Sequence, residues 1–222
     1  MIEQIIALIV ILAFLVGLPW FMIHLKKKHR AESESTASQM GFTYEGMGDG
    51  SVARAFGSFQ IFSKHHSVQE YHIMTRREGT GRIVIVNGYS WTTRRGKNTT
   101  HTDTTVFCFE SPELDLPPLK FVFSMGGSLM RKAAEKIACT AGFERVEEKR
   151  LEDRFLVFGR NQSDIRELLG RTKIVDVLRE ESGMLIDGND NQLIVCFQEK
   201  KIPSAKLPVA YARSRAVFRS LV

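Results

Sequence analysis

The residues of this 222-residue chain that could do chemistry are its cysteines, its histidines and two polar loops. Its three cysteines, Cys108, Cys139 and Cys196, are far apart and lack CxxC spacing, which favours buried thiols over a metal site or disulfides. Four histidines beside predicted strands have no nearby cysteine or HExxH helix, so zinc ligation is not indicated: His65, His66, His72 and His101. The sequence therefore assigns no catalytic residue, metal or cofactor.

The two polar loops have simple structural explanations. Gly126, Gly127 and Ser128 precede a predicted helix and could hold an anion with free backbone N–H groups, but they match no phosphate-binding fingerprint. A turn with Ser128 as N-cap explains them better. Residues 187–191 superficially resemble a calcium loop, but the closing acid is absent and a hairpin turn is favoured.

The strongest signal lies at the N-terminus, where residues 5–23 form an apolar run of about nineteen residues without charge, roughly 28 Å long as a helix. The run predicts a transmembrane helix. A basic cluster follows it directly: Lys26, Lys27, Lys28 and Arg30. By the positive-inside rule this order places the N-terminus outside and the remainder on the cytoplasmic side of a single-pass protein of the cell membrane. A cleaved signal peptide would show the opposite charge order.

The net charge of +6 divides unevenly along the chain. The first thirty residues carry roughly +3 and the segment 200–222 about +6, which leaves the middle at about −3. A nucleic-acid groove normally uses a basic folded body. The charge distribution therefore argues against nucleic acid as a partner. The predicted anchor makes the lipid bilayer the expected partner, and the sequence leaves a protein partner open.

Four segments divide the chain. Residues 1–25 are the predicted transmembrane anchor, 26–41 a basic juxtamembrane segment and helix extension, 42–200 a soluble domain with a sub-boundary near 111–118, and 201–222 a basic amphipathic tail. Gly41 follows the extension, at the position where helices commonly end.

Strand patterns dominate the first half of the domain. We predict strands at 42–45, 59–62, 71–75 and 82–91, the last of them apolar on both faces at 83–86. A charged turn at 94–98 connects it to a strand at 99–109. Prolines at 111–118 precede a strand at 119–123, and helical spacing appears at 129–141.

The second half mixes short strands with short helices. Strands are predicted at 143–147, 154–158, 184–186 and 193–197, and helices at 164–169, 172–181 and from Ser204 onward. The fold class is therefore α+β: an N-terminal transmembrane helix followed by a mainly antiparallel-sheet cytoplasmic domain with several short helices.

Two basic regions are candidate membrane-surface contacts in addition to the juxtamembrane cluster. The hairpin tip carries Arg94, Arg95 and Lys97, which could be simply solvated or could contact anionic headgroups. The predicted tail helix has an apolar stripe with Tyr211 and Phe218, bordered by basic residues: Lys206, Arg213, Arg215 and Arg219. That stripe could enter the membrane interface or pack on the body of the domain.

Two short motifs, 40–45 and 56–62, follow the anchor, basic cluster and short helix. Together with the hairpin 82–110 and the connector 114–117, they resemble a group of uncharacterised bacterial single-pass membrane proteins with a cytoplasmic β-rich domain. The resemblance covers residues 1–125. It implies an inner-membrane location and this architecture, and it transfers no functional residue.

Two classes of function follow from these observations. The absence of a recognisable acid–base or nucleophile pair favours a membrane-tethered cytoplasmic binding or scaffolding domain of unknown ligand over an enzyme. The alternative is an enzyme acting on a membrane-associated substrate, assembled from scattered histidines and acids.

Overall fold

A computed structural model describes residues 2–63, 66–95, 98–124, 141–151, 153–197 and 201–222. Within these ranges, the side chains of residues 2–16, 63, 66–67, 93–95 and 98 are not described. The predicted helix 129–141, the loop at Gly126 and Cys139 lie outside the described residues.

The first element, α1, is one continuous helix from Ile2 to Gln39. It ends where the sequence predicts, because Gly41 adopts φ 72° and the N–H of Phe42 bonds to the carbonyl of Ala37 at 2.8 Å. This is the six-to-one bond of a Schellman motif, which satisfies carbonyls at a helix end. Ser33, Thr36 and Ala37 are buried against the body. The segment predicted as an anchor therefore continues into the domain without a break in the helix.

Within the described part of the chain, no helix is long and apolar enough to cross a membrane. Most of the predicted transmembrane run, residues 5–16, has side chains outside the described ones.

The strands of the described residues form one antiparallel sheet of nine, in the order β1-β2-β3-β4-β9-β8-β5-β7-β6. They are β1 (Thr43–Met47), β2 (His66–Glu78), β3 (Gly81–Arg95), β4 (Asn98–Glu110), β5 (Leu116–Phe123), β6 (Glu144–Val146), β7 (Phe155–Gly159), β8 (Met184–Asp190) and β9 (Gln192–Phe197). The predicted α+β class with a mainly antiparallel sheet is confirmed. Residues 111–115 connect β4 to β5 of this same sheet, and the last part of the predicted connector, 116–118, lies in β5.

The remaining helices cover the two faces of the sheet. They are α2 (Ser51–Ala55), α3 (Gln60–Ser63), α4 (Gln162–Arg171), α5 (Ile174–Glu180), a short 3₁₀ turn (Ser204–Lys206) and α6 (Leu207–Arg219). The end of α1 packs with α4, α5 and α6 on the face that includes Ile83 and Ile85. The other face, with Val84 and Val86, packs against α2 and α3. Strand β3 is thus apolar on both sides because both sides are covered, as its sequence predicts.

One predicted strand is wrong. Residues 60–62 of this segment are helical in α3, and Phe56, Phe59 and Phe62 are all buried in one cluster. Their spacing of three is the spacing of a helical face, whereas a strand would alternate. The hairpin turn predicted at 187–191 is also shorter than expected, since β8 continues to Asp190 and only Asn191 separates it from β9.

The extension of β8 places Asp187 inside the sheet, where its carboxylate forms an ion pair with the ammonium of Lys120 on β5. Both side chains are at most a tenth exposed. Burial raises the pKa of Asp187, while Lys120 opposes the shift. A buried charge is retained only beside a partner, so these residues fix the pairing of β5 with β8 rather than bind calcium.

The tail helix α6 packs on the body. Its predicted apolar stripe faces the core, with Leu207, Ser214 and Val217 fully buried. The Phe218 ring stacks on Phe109 with centroids 5.1 Å apart. Of the two alternatives for this stripe, packing on the domain is the one that the structure contains.

Candidate functional site

Strands β2 and β3 each contain one extra residue at the same level of the sheet. Glu70 and Ile73 both face the α2 side, where Glu70 accepts a hydrogen bond from the backbone N–H of Ala53 at 2.8 Å. Residues three apart in a regular strand would face opposite sides. The same holds for Val86 and Tyr89 on β3. Because both strands bulge together, their pairing is unchanged across the irregularity: Glu70 opposes Tyr89, and Ile73 opposes Val86.

The backbone conformation at these bulges is unusual. His72 adopts φ 54°, a left-handed value that is uncommon for a non-glycine residue and is often found at functional sites. Gly88 has φ 151°, and a Cβ atom there would lie 2.1 Å from the Tyr71 ring. Glycine is therefore required at position 88, since any side chain would collide with Tyr71.

The bulges bring polar side chains together on the face that α1 covers. The Tyr44 hydroxyl and His72 Nδ1 are 2.9 Å apart, and the Tyr71 hydroxyl donates a hydrogen bond to Asp103 Oδ2 on β4. The Lys201 ammonium lies 4.7 Å from the centroid of the Tyr71 ring. We call these five residues, Tyr44, Tyr71, His72, Asp103 and Lys201, the bulge cluster. All five are partly buried and partly open to solvent.

Burial sets the protonation of the cluster. It lowers the pKa of His72 to about 4, with smaller contributions in the same direction from Lys201 and His29. It also raises the pKa of Tyr71, aided by the bond to Asp103, and lowers that of Lys201. At neutral pH His72 is therefore an uncharged imidazole and Tyr71 a neutral hydroxyl donor. The influence of His29 also shows that α1 passes close to the cluster.

Two buried polar atoms at the cluster have no hydrogen-bond partner in the part of the chain that the structure describes: Asp103 Oδ1 and Asn87 Nδ2. The Asn87 carbonyl oxygen is satisfied, because it accepts from the Thr105 hydroxyl at 2.7 Å. Thr105 in turn accepts from the backbone N–H of Ile202 at 2.8 Å, which fixes the chain beside Lys201. Unpartnered buried polar atoms are rare in folded proteins and mark places where a water or ligand is expected.

The Ser90 hydroxyl and His101 Nε2 are 3.0 Å apart, the distance of a nucleophile–base pair. Ser90 is only 2% exposed, however. Among the described residues, no carboxylate is bonded to the other nitrogen of His101. A buried hydroxyl without an orienting acid does not support acyl transfer.

A second concave surface lies at the opposite end of β2 and β3. It is a groove of 310 Å³ formed by the β2–β3 turn, the end of β4 and the end of α6. Its charged side chains are largely paired with one another: Arg82 lies 3.4 Å from Glu110, and Arg215 forms an ion pair with Glu78. Within the described residues, no group of three or more His, Cys, Asp or Glu could hold a metal ion.

The predicted membrane-contact residues have different surroundings. The juxtamembrane cluster is exposed along α1: Lys26, Lys27, Lys28 and Arg30. At the hairpin tip, Arg94 and Arg95 end β3 with side chains outside the described ones, and Lys97 lies outside the described residues altogether. Their contact with a membrane stays a prediction.

Of the tail residues predicted to contact the membrane, Lys206 and Arg219 are exposed. Arg213 donates to Glu181 at 2.7 Å and Arg215 pairs with Glu78, so the body supplies their partners. Tyr211 is buried against the Phe42 ring, 5.2 Å between centroids. Because the apolar stripe packs on the body, Tyr211 and Phe218 are not available to lipid in this arrangement.

The bulge cluster was missed by the sequence reasoning. Its visible signal is Gly88, a glycine inside an otherwise apolar strand pattern, which indicates a bulge or a close approach. The sequence gives no sign that His72, Asp103 and Lys201, from three distant segments, meet there.

Comparisons with known proteins show similarity of fold only. No family model matches the chain, and no curated protein matches it. A solved structure does: the crystal structure of the mycobacterial trehalose monomycolate transport factor A, TtfA, superposes with a TM-score of 0.58. The match covers 86% of this chain and 91% of TtfA at 10% sequence identity. This chain therefore has the fold of TtfA.

The lowered pKa of His72 predicts a specific pH dependence of stability. The unfolded chain takes up a proton near the ordinary histidine pKa of 6.5, whereas folded His72 resists protonation until about pH 4. The stability that neutral His72 contributes to the folded state is therefore complete above pH 6.5 and is lost as pH falls through 4. The free energy of unfolding should fall over this range by on the order of 1–2 kcal/mol, after allowing for partial solvent exposure. Urea unfolding of the full chain in detergent should show this loss in the wild type and a smaller loss in His72→Gln. Equal losses in both proteins would contradict the burial of a neutral His72.

Proposed function

We propose that this protein is a membrane-tethered, non-enzymatic binding or scaffolding protein whose domain lies on the cytoplasmic side. The observation that carries the proposal is the exposed part of α1. Leu18, Trp20, Phe21, Met22 and Ile23 are each 52–69% exposed on a helix whose other end is packed into the domain. At 100° per residue these five side chains point in all directions around the helix.

Such a helix needs an apolar environment on every side. Contiguous exposed apolar surface is rare in proteins that are surrounded by water. A helix that is apolar all round is either buried in protein or embedded in a bilayer. The body of the domain does not cover this segment, and its apolar sequence continues back to Ile5, which supports insertion into lipid.

The charge order supports the orientation. Lys26, Lys27, Lys28 and Arg30 follow the apolar run and are all exposed, and moving such a cluster across a bilayer is disfavoured. The bulge cluster would then lie just beneath the membrane, because His29 is near His72.

Two observations favour binding over catalysis. Among the described residues, the bulge cluster contains donors, acceptors and aromatic rings but no exposed nucleophile paired with a base, and the Ser90 hydroxyl beside the exposed His101 is itself buried. TtfA, which shares the fold, is named as a transport factor, and such a role is compatible with a non-enzymatic protein. We extend only that non-enzymatic character to this chain. An enzyme acting on a membrane-associated substrate remains the second candidate, and the perturbed pKa of His72 is the observation in its favour.

We also propose that the β3–β4 hairpin tip reaches the lipid headgroups. The carbonyl of Met40 accepts from Arg76 at 3.1 Å, while His29 lies near His72, so α1 runs along β2 toward the end where the hairpin turns. From the level of His72, β3 continues about eight residues to Arg95, roughly 26 Å. Lys28 to Lys26 lie only about 5 Å further along α1 than His29. The hairpin is therefore long enough to touch the surface even when it is inclined to α1.

Topology is tested by reporter fusions to the C-terminus of the full chain. A reporter that is active only in the cytoplasm should be active, and one that is active only outside should be silent. Replacing Lys26, Lys27, Lys28 and Arg30 by Gln should make the orientation mixed. Activity of the external reporter on the unmodified chain would disprove the cytoplasmic assignment.

The hairpin tip is tested with a chain that begins at Lys26. Replacing Arg94, Arg95 and Lys97 by Ser should weaken binding to anionic liposomes, because each charge near the surface is worth roughly 1 kcal/mol. A matched control replaces three exposed cations near α4 by Ser: Arg166, Arg171 and Lys173. A loss confined to the tip variant supports the contact, whereas equal binding of all three proteins would remove the tip from the membrane surface.

A further inference from the structure

The bulge cluster contains hydrogen-bonding capacity that the protein itself does not use. Within the described residues, Asp103 Oδ1 is an acceptor without a donor, and Asn87 Nδ2 is a donor without an acceptor. The Lys201 ammonium lies over the Tyr71 ring and forms no ion pair within 4 Å with any part of the chain that the structure describes. Nδ1 of His72 is bonded to Tyr44, and the described side chains around it give its second nitrogen, Nε2, no hydrogen bond. These atoms all lie within the same region of β2, β3 and β4, beside the chain at 201–202.

The charges of the cluster cancel. Asp103 and Lys201 have opposite charge, His72 is neutral at physiological pH, and both tyrosines are protonated. A phosphate or carboxylate would meet the Asp103 carboxylate directly and would be repelled. A ligand ammonium would compete with Lys201, which already occupies the face of the Tyr71 ring. The electrostatics therefore favour an uncharged polar ligand.

We propose that the bulge cluster binds a neutral group bearing several hydroxyls, namely a sugar or another polyol. A hydroxyl both donates and accepts, so it can donate to Asp103 Oδ1 while a neighbouring hydroxyl accepts from Lys201. A hydroxyl also suits the free nitrogen of His72 in either tautomer, whereas a pure donor or a pure acceptor suits only one. Lys201, the cluster's most flexible side chain, moves aside to open the way to Asp103.

The polyol has two sources, the headgroup of a neutral glycolipid or a soluble sugar. The headgroup source rests on the proposed membrane tether, because α1 then holds the cluster close to the lipid surface. The chemistry at Asp103, His72 and Lys201 is the same for both sources, so the experiment needs an arm for each.

The test measures the unfolding midpoint of the full chain in nanodiscs of phosphatidylcholine, with or without a glucosyl diacylglycerol, and with free glucose or a free disaccharide. A ligand that binds only the folded state raises the midpoint, by about 3–6 °C when it is present at roughly ten times its Kd. A rise with the glycolipid alone identifies the headgroup, and a rise with free sugar identifies a soluble polyol. No rise in any arm overturns the proposal.

The variants are Asp103→Asn, which preserves shape but removes the carboxylate, and Asp115→Asn, which changes an exposed acid of the connector. The unfolding midpoint of each variant with ligand is compared with its own midpoint without ligand, so a loss of basal stability does not affect the result. Asp103→Asn should abolish the rise and Asp115→Asn should retain it. A rise that survives Asp103→Asn would place the ligand elsewhere. Failure of the chain to enter nanodiscs would contradict the proposed membrane tether. The measurement with free sugar can then be run in detergent, where it still tests whether the bulge cluster binds a polyol.

Discussion

Arg76 connects the three parts of the molecule on which its architecture depends. Its guanidinium lies over the rings of both Phe42 and Tyr211, 4.7 and 5.5 Å from their centroids. It donates to the last-turn carbonyl of Met40 at 3.1 Å and to the Tyr211 hydroxyl at 2.6 Å. One side chain of β2 thus holds the end of α1, the start of β1 and the tail helix α6. Arginine suits this position because its flat guanidinium stacks on rings while its edges donate hydrogen bonds.

Because Arg76 fixes the end of α1 to the domain, the two parts of this helix have different environments. Beyond Ser33 the helix is packed on the sheet, where Ala37 is fully buried and the Ser33 and Ser204 hydroxyls are 3.2 Å apart. From Leu18 to Ile23 it is apolar and exposed. A rigid helix that passes from one environment to the other would hold the domain at a fixed distance from the membrane, and the bulge cluster lies beside the part where the change occurs.

Much of this architecture could be predicted from local sequence. Three features follow from signals that act over a few residues. The glycine at position 41 predicts the end of α1, and the pattern of apolar residues predicts the long β3–β4 hairpin and the strand at 83–86 that is buried on both faces. The error at α3 arose because a short segment with three apolar residues resembles a strand unless the spacing of Phe56, Phe59 and Phe62 is counted. The sequence predicts the apolar stripe of the tail helix but not the surface on which it packs. An amphipathic helix has the same residue pattern whether it packs on a sheet or on a membrane.

The candidate site could not be predicted in the same way. It depends on two bulges that occur together, on a left-handed His72 and on the approach of Lys201 to Tyr71 from more than a hundred residues away. The pair Lys120 and Asp187 was missed for the same reason, because a buried charge looks like a surface charge until its partner is known. Long-range pairing of polar residues leaves no periodic signal.

The most direct test of the account is the extraction of the full chain from cell membranes. An inserted helix has a strongly apolar attachment, so the chain should stay in the membrane fraction through high salt and alkaline carbonate and leave it only in detergent. A chain that begins at Lys26 should be released by salt, because only charge contacts would remain. Release of the full chain by salt or carbonate would contradict the account.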